Sequence, residues 1–137
     1  MPPTEIKTDA LQEFNELASW VHRNAKMEPE KGKENKLVCT DKAREAKVRP
    51  LLEKLGYANI PGHLASLQRI FGKALIEKPN DDRSVLFFPL SIGSGPESIG
   101  SGNMHVAGET LKPGTYIQLT ETLELNEQLD CLIVLLP

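Results

Sequence analysis

Hydrophobic residues recur at three- and four-residue spacing in the first half of the chain, a pattern that predicts helices. The first predicted helix covers residues 8–25, with Thr8 as a candidate N-cap. A second covers residues 41–56 and contains Pro50, which lacks a backbone N–H and predicts a kink. A third covers residues 61–77, with an inward face formed by Leu64, Leu67, Ile70, Phe71 and Leu75.

From Ser84 onward the spacing falls towards two and β-favouring residues become common. The predicted strands cover residues 84–92, 103–107, 115–121 and 130–136. Lys112-Pro113-Gly114-Thr115 is typical of a type II turn, with Pro and Gly at its central positions.

These elements predict an α+β fold and a single domain over residues 1–137. The helical portion, residues 1–83, contributes about three helices and includes a mobile charged linker at 26–36. The β portion, residues 84–137, contributes an antiparallel sheet of about four strands and carries a Gly/Ser loop at 91–102.

The last predicted strand is apolar on both faces, from Leu132 through Val134 to Leu136. Such a strand requires a central position in the sheet, cover on both sides, or a partner chain. Three interpretations are compatible with this pattern. The terminal strand is buried, it forms an interface, or the chain is a fragment of a longer protein.

Charge is distributed unevenly along the chain. The net charge is −3, but residues 84–137 carry one lysine against six acidic side chains. A β portion with this charge does not favour contact with a phosphate backbone. No apolar stretch is long enough to cross a bilayer and no secretory signal is evident, so we expect a cytoplasmic protein that does not bind membranes.

The Gly/Ser loop contains a repeated pentapeptide, Ser-Ile-Gly-Ser-Gly, whose copies are separated by Pro96-Glu97. Successive N–H groups in a glycine-rich loop can cradle an anion, which makes the loop a candidate ligand site. Its candidate residues are Gly93, Gly95, Gly100 and Gly102. No lysine follows the glycines as in a phosphate-binding P-loop, and the segment after them is a predicted strand rather than a helix. We therefore expect the loop to be a linker or a docking peptide rather than a phosphate-binding site.

Catalytic and metal-binding signatures are absent from the sequence. Neither Cys39 nor Cys131 lies in a pattern that places it beside a histidine. No Cys-x-x-Cys, His-x-x-x-His or calcium-loop spacing occurs. We expect no catalytic residue, no metal and no cofactor, and lean towards a protein that is not an enzyme.

Residues 36–76 carry eight basic side chains against three acidic ones, and the predicted helices at 41–56 and 61–77 could form a helix-turn-helix pair. This alternative function is a nucleic-acid-binding regulator. Its candidate residues are Lys42, Arg44, Arg69 and Lys73.

The doubly apolar terminal strand and the Gly/Ser loop favour an oligomeric protein-interaction or assembly module, acting on another protein or on itself through its sheet edge. The candidate partner-binding residues are Trp20, Ile92, Ile99, Leu132 and Val134. A second alternative is a small ligand-binding protein or enzyme that uses the Gly/Ser loop.

Overall fold

Two long antiparallel strands form the centre of the fold in the computed structural model, which describes residues 1–137. There are nine strands: β1 (Thr4–Glu5), β2 (Met27–Pro29), β3 (Lys36–Cys39), β4 (Leu64–Ile76), β5 (Ser84–Ile92), β6 (Met104–Val106), β7 (Glu109–Leu111), β8 (Thr115–Gln118) and β9 (Leu123–Leu136). Two helices, α1 (Leu11–Arg23) and α2 (Arg44–Leu55), lie between the early strands. Short 3₁₀ turns occur at Thr8–Ala10 and Pro96–Ser98.

Seven strands form one antiparallel sheet in the order β1-β8-β5-β9-β4-β3-β2, and β6 and β7 form a separate hairpin. The longest pairing joins β4 to β9, from Leu64 opposite Leu135 to Ile76 opposite Leu123. β9 also pairs with β5 along its other side. The C-terminal strand is therefore central, which explains why both of its faces are apolar.

The sheet separates two hydrophobic cores. The helix-side core lies between the sheet and the two helices, and its buried residues are Ile6, Ala10, Phe14, Leu17, Ala18, Val21, Cys39, Val48, Leu51, Leu52, Leu67, Leu86, Phe88, Leu90, Leu132 and Val134. The hairpin-side core lies on the other face and includes the β6–β7 hairpin; its buried residues are Ile70, Ile76, Val85, Phe87, Ile92, Met104, Val106, Leu111, Ile117, Leu119, Leu123, Leu125, Leu129 and Cys131. Alternation along β5 sends Leu86 and Phe88 to one core and Val85 and Phe87 to the other.

Both helices bury most of the apolar positions that their spacing indicates, while Leu11 and Leu55 are half-buried. In α1 the buried residues are Phe14, Leu17, Ala18 and Val21, which lie on one face. α2 buries Val48, Leu51 and Leu52, contains Pro50, and ends at Gly56 with φ of +84°. The two helices lie within the segments predicted as the first and second helices.

The predicted third helix, over residues 61–77, is wrong, because this segment forms β4. Its apolar residues fit a helical spacing, but in the structure they alternate between the two faces of the sheet. Leu67 faces the helix-side core and Ile70 and Ile76 face the hairpin-side core. Thirteen consecutive pairings with β9 hold the segment in the extended conformation, and the paired residues lie 47 to 71 positions apart in the chain.

The predicted α+β arrangement of about three N-terminal helices on a four-stranded sheet is therefore wrong. The protein has two helices and is mostly sheet, with seven strands in one sheet and two in a hairpin. Strands from residues 1–83 and from 84–137 belong to the same sheet, so the predicted division into a helical and a β portion does not hold. The strands β1, β2, β3 and β7 were too short for a pattern in the sequence to indicate them.

The segment predicted as a mobile linker, residues 26–36, contains β2 and the turn that leads into β3. β2 lies at the edge of the sheet and includes Glu28 and Pro29. A charge and a proline on an edge strand hinder pairing with another chain.

None of the helices has both the length and the apolar character needed to cross a membrane.

Candidate functional site

A groove between α2 and the beginning of β4 is the best candidate for a binding site. It has a volume of about 640 Å³, within the range of about 300 to 1,000 Å³ typical of small-molecule sites. Helix α2, the connection after it and the first residues of β4 supply the lining: Arg44, Glu45, Val48, Arg49, Leu52, Glu53, Ala58, Asn59, His63, Leu64, Ala65 and Leu67.

The floor of the α2–β4 groove is apolar and rigid. Val48, Leu52 and Leu67 are almost completely buried and belong to the helix-side core. Val48 and Leu52 are four residues apart and therefore lie on the same face of α2, opposite Leu67 on β4. A ligand resting on this floor would contact side chains that are fixed by packing.

The polar groups lie on the rims of the groove. Arg44, Glu45, Arg49 and Glu53 belong to α2, and all four side chains are exposed. Asn59 and His63 belong to the opposite rim, in the connection between α2 and β4. Apolar floor and polar rims together match the composition of a ligand pocket, in which a few polar groups orient an otherwise apolar ligand.

His63 has a defined hydrogen-bonding role. Its Nδ1 lies 2.8 Å from the carbonyl oxygen of Ile60. A carbonyl oxygen only accepts hydrogen bonds, so Nδ1 carries the proton and donates. In the neutral ring Nε2 is then the acceptor, and it is available to a hydroxyl or amide group of a ligand.

A second depression lies beside the tip of the β6–β7 hairpin and the first residues of β9. Its volume is about 620 Å³, and Lys73, Ala107, Glu121 and Glu124 are among its lining residues. Ala107 is the only non-glycine residue with a positive φ, +50°. The depression lacks a buried polar group, and its charged residues are exposed on the surface.

The Gly/Ser loop, residues 91–102, is folded back on itself. Most of its N–H groups already have partners. Ile92 N–H donates to the carbonyl of Ser101, Gly93 N–H to that of Gln128, and Gly100 N–H to the hydroxyl oxygen of Ser91. The hydroxyl of Ser98 donates to the carbonyl of Gly95, and that of Ser101 to the carbonyl of Glu97. The repeated serines and glycines thus stabilise the loop itself.

Two of the candidate loop glycines are crowded by neighbouring atoms. A Cβ at Gly102 would lie 2.5 Å from the carbonyl oxygen of Ile92. A Cβ at Gly95 would lie 2.7 Å from Oε1 of Glu97. The Glu97 carboxylate therefore occupies the space beside Gly95 and would repel an anion there.

The structure does not bring the candidate nucleic-acid residues together. Arg44 begins α2 and Lys42 lies two residues before it, whereas Lys73 lies far along β4. Arg69 is engaged in an ion pair with the buried Asp130. The predicted helix-turn-helix over 41–77 is also wrong, because its second helix is β4.

The predicted function as an assembly module acting through the C-terminal sheet edge is wrong. β9 is paired on both sides, so it offers no edge. Leu132 and Val134 are completely buried. Ile92 is in the hairpin-side core, and Ile99 is half-buried against the helix-side core. Trp20 is half-buried between the helices, with Lys47 Nζ 5.9 Å from its ring centroid.

The two cysteines are buried on opposite faces of the sheet, Cys39 in the helix-side core and Cys131 in the hairpin-side core. Burial raises the pKa of the Cys39 thiol. Burial, and to a lesser extent the charge of Asp130, raises the pKa of the Cys131 thiol. Both thiols are therefore held in the unreactive protonated form. The structure contains no group of three or more His, Cys, Asp or Glu side chains placed to hold a metal ion.

Sequence reasoning did not identify the α2–β4 groove. Arg44 is a candidate only for nucleic-acid binding in the sequence analysis, and Arg49, Asn59 and His63 are not among its candidate residues. The apolar spacing of α2 indicated Val48 and Leu52 as buried, but no local signal places Leu67 or His63 opposite them.

Comparisons with known proteins identify no family for this chain. No family model matches it, and no curated protein matches it. Among solved structures, the crystal structure of ectoine synthase from P. lautus is similar over 87% of this chain and 75% of that chain, with a TM-score of 0.46 and 19% identity. Identity and TM-score are both low, so this likeness assigns no activity to the chain.

Proposed function

We propose that the protein binds a small organic ligand in the α2–β4 groove. The observation that carries this proposal is the combination of a volume of about 640 Å³, an apolar floor and polar groups on both rims. The second depression also has buried core residues in its lining, Val106, Leu123 and Leu125, but no histidine or arginine lies on its rims.

The groove is supported by rigid elements on three sides. Helix α2 is anchored through Val48, Leu51 and Leu52, and β4 is paired along its whole length with β9. The connection between them is fixed by the hydrogen bond from His63 to Ile60 and by Tyr57, whose N–H donates to the carbonyl of Leu52. A site formed before the ligand arrives loses less conformational entropy on binding.

Titrations followed by amide chemical shifts test the proposal. The probes are phenylbutyrate, its neutral isostere phenylbutanamide, and phenylbutylamine. We expect at least one probe to shift the amides of α2 and of the first residues of β4, with a Kd of about 1 mM, as for a fragment of this size.

Ala65→Phe tests whether those shifts arise from the groove. Ala65 is an exposed lining residue of β4, so a phenyl ring there would fill the groove without entering the core. We expect Ala65→Phe to abolish the shifts and the matched Glu121→Phe in the second depression to leave them unchanged. Absence of shifts with all three probes, or shifts that persist in Ala65→Phe, would refute the proposal.

A further inference from the structure

We infer that the ligand of the α2–β4 groove is a small organic anion, and that Arg44 is the residue that binds its charged group. This inference rests on the proposed function and adds the chemical class of the ligand. The class includes carboxylic acids and phosphate monoesters attached to an apolar body.

Arg44 is held at the rim without a carboxylate partner. Its Nη1 donates to the backbone carbonyl of Asp41 at 3.1 Å, which fixes one side of the guanidinium. Apart from that bond no intramolecular partner is present, and no acidic side chain lies within ion-pair distance. The remaining N–H groups of the fork can therefore bind the two oxygens of a carboxylate or phosphate.

The carboxylate of Asp41, three residues before Arg44, accepts two backbone hydrogen bonds. Its Oδ1 accepts the N–H of Ala43 at 2.9 Å, and its Oδ2 accepts the N–H of Lys26 at 3.1 Å. These two hydrogen bonds, and to a lesser extent the charges of Lys26 and Arg44, hold the pKa of Asp41 below its usual range. Asp41 does not line the groove, so a ligand would not meet its carboxylate.

Arg49, the second guanidinium of the groove, is in a different electrostatic environment. Glu45 and Glu53 lie four residues before and after it, on the same face of α2. Neither carboxylate lies within ion-pair distance of Arg49, but at this spacing both partly offset its charge. His63 contributes Nε2 as an acceptor. Arg44 is consequently the cationic group of the groove with no lining carboxylate three or four residues from it on the helix.

The shape of the site favours an anion with an apolar body. Val48, Leu52 and Leu67 form the floor beside Arg44, because Val48 follows Arg44 by four residues on the helix. A molecule whose apolar part lies on this floor can place its charged group at Arg44. Inorganic phosphate alone would leave the floor uncovered and lose the contribution of apolar burial.

The test compares phenylbutyrate with phenylbutanamide, which differ in the charge of one group. A charge-assisted hydrogen bond corresponds to about 10- to 100-fold in affinity. We expect the acid to bind at least about tenfold more tightly than the amide. We expect Arg44→Gln to remove this preference, and unchanged amide chemical shifts of residues outside the groove will show that the variant is folded. The matched Arg49→Gln should change the affinity for the acid by less than about threefold, because its charge is already offset.

The outcomes separate this inference from the proposed function. Equal affinities for acid and amide, or an equal loss in both arginine variants, would overturn the role of Arg44 while ligand binding in the groove stands. Tighter binding of phenylbutylamine than of the acid would likewise overturn the anionic class. Failure of all three probes to shift the groove amides would refute the proposed function itself.

Discussion

Arg69 on β4 lies directly opposite Asp130 on β9, and the two side chains form a forked ion pair beneath helix α1. Arg69 Nε lies 2.7 Å from Asp130 Oδ1, and Nη2 lies 3.3 Å from Oδ2. The same Nη2 donates to the carbonyl of Val21 at 3.0 Å, and His22 Nδ1 lies 3.9 Å from Asp130 Oδ2. This cluster connects the C-terminal turn of α1 to the two longest strands of the sheet.

We predict that Arg69→Ala lowers the free energy of unfolding by about 3 to 5 kcal/mol, because it leaves the carboxylate of Asp130 buried without its main partner. Urea denaturation of the variant measures this loss. The matched control is Arg83→Ala, which removes the exposed ion pair with Asp81 and should leave the urea midpoint unchanged. Equal effects of the two substitutions would contradict the prediction.

Substitution of Gly102 should lower the free energy of unfolding far more than substitution of a glycine with open space around it. Gly102 has φ of +97°, and a Cβ there would lie 2.5 Å from the carbonyl oxygen of Ile92. Gly32 has φ of +80° with open space around it. We expect Gly32→Ala to cost about 1 kcal/mol through backbone strain alone, and Gly102→Ala to cost at least about 2 kcal/mol. Thermal unfolding of both variants checks the difference. Similar melting temperatures would show that the Gly/Ser loop shifts to accommodate the Cβ without a loss of stability.

Substitution of Ala107 by asparagine should stabilise the protein. Ala107 and Gly108 are the turn residues of the β6–β7 hairpin, with φ of +50° and +79°. Positive φ at both positions fits a type I′ turn, which favours Asn-Gly. We expect Ala107→Asn to raise the free energy of unfolding by about 0.5 to 1 kcal/mol, since asparagine tolerates this conformation better than alanine. Ala107→Val is the opposite control, and its melting temperature should fall.

Stability should decrease at high pH through Tyr57. Burial, together with the hydrogen bond to Tyr116 at 3.2 Å, raises the pKa of Tyr57 to about 12. The ordinary value in an unfolded chain is about 10. The unfolded state therefore loses its proton first, and the stabilisation present below pH 10 is lost as the pH rises to about 12. Denaturation curves across this range should show a smaller loss for Tyr57→Phe than for the unaltered protein. Equal losses of stability in Tyr57→Phe and in the unaltered protein would contradict the raised pKa of Tyr57.

Both thiols should be inert in the folded protein. We expect a thiol reagent to label Cys39 and Cys131 slowly under native conditions and completely in denaturant, because burial keeps both protonated and inaccessible. Cys39→Ser, which leaves one thiol, shows which residue accounts for any early labelling. Rapid stoichiometric labelling of the native protein would contradict the burial of these residues.

Several local features could be predicted from the sequence because the residues themselves determine them. The turn at Lys112-Pro113-Gly114-Thr115 is confirmed, with φ of +94° at Gly114 and the N–H of Thr115 donating to the carbonyl of Lys112. The end of α2 at Gly56 and the strand at 84–92 also agree with the structure. In each case the signal lies within a few neighbouring residues.

The α2–β4 groove could not be predicted in this way. Arg44 and His63 face the same space because α2 packs across the start of β4, a relationship that no local spacing encodes. The assembly interpretation failed for the same reason, since a strand apolar on both faces suits either an interface or the centre of a sheet.

The sequence by itself determined that a turn falls at residues 112–115, which residues of α1 and α2 are apolar, and that the last strand had to be covered on both faces. Only the tertiary structure decided that residues 64–76 are a strand and that this strand pairs with β9. The groove at Arg44 likewise depends on the tertiary structure. The physical reason is that the conformation of β4 depends on thirteen pairings with a distant strand. Such pairings outweigh a local apolar spacing that fits a helix equally well.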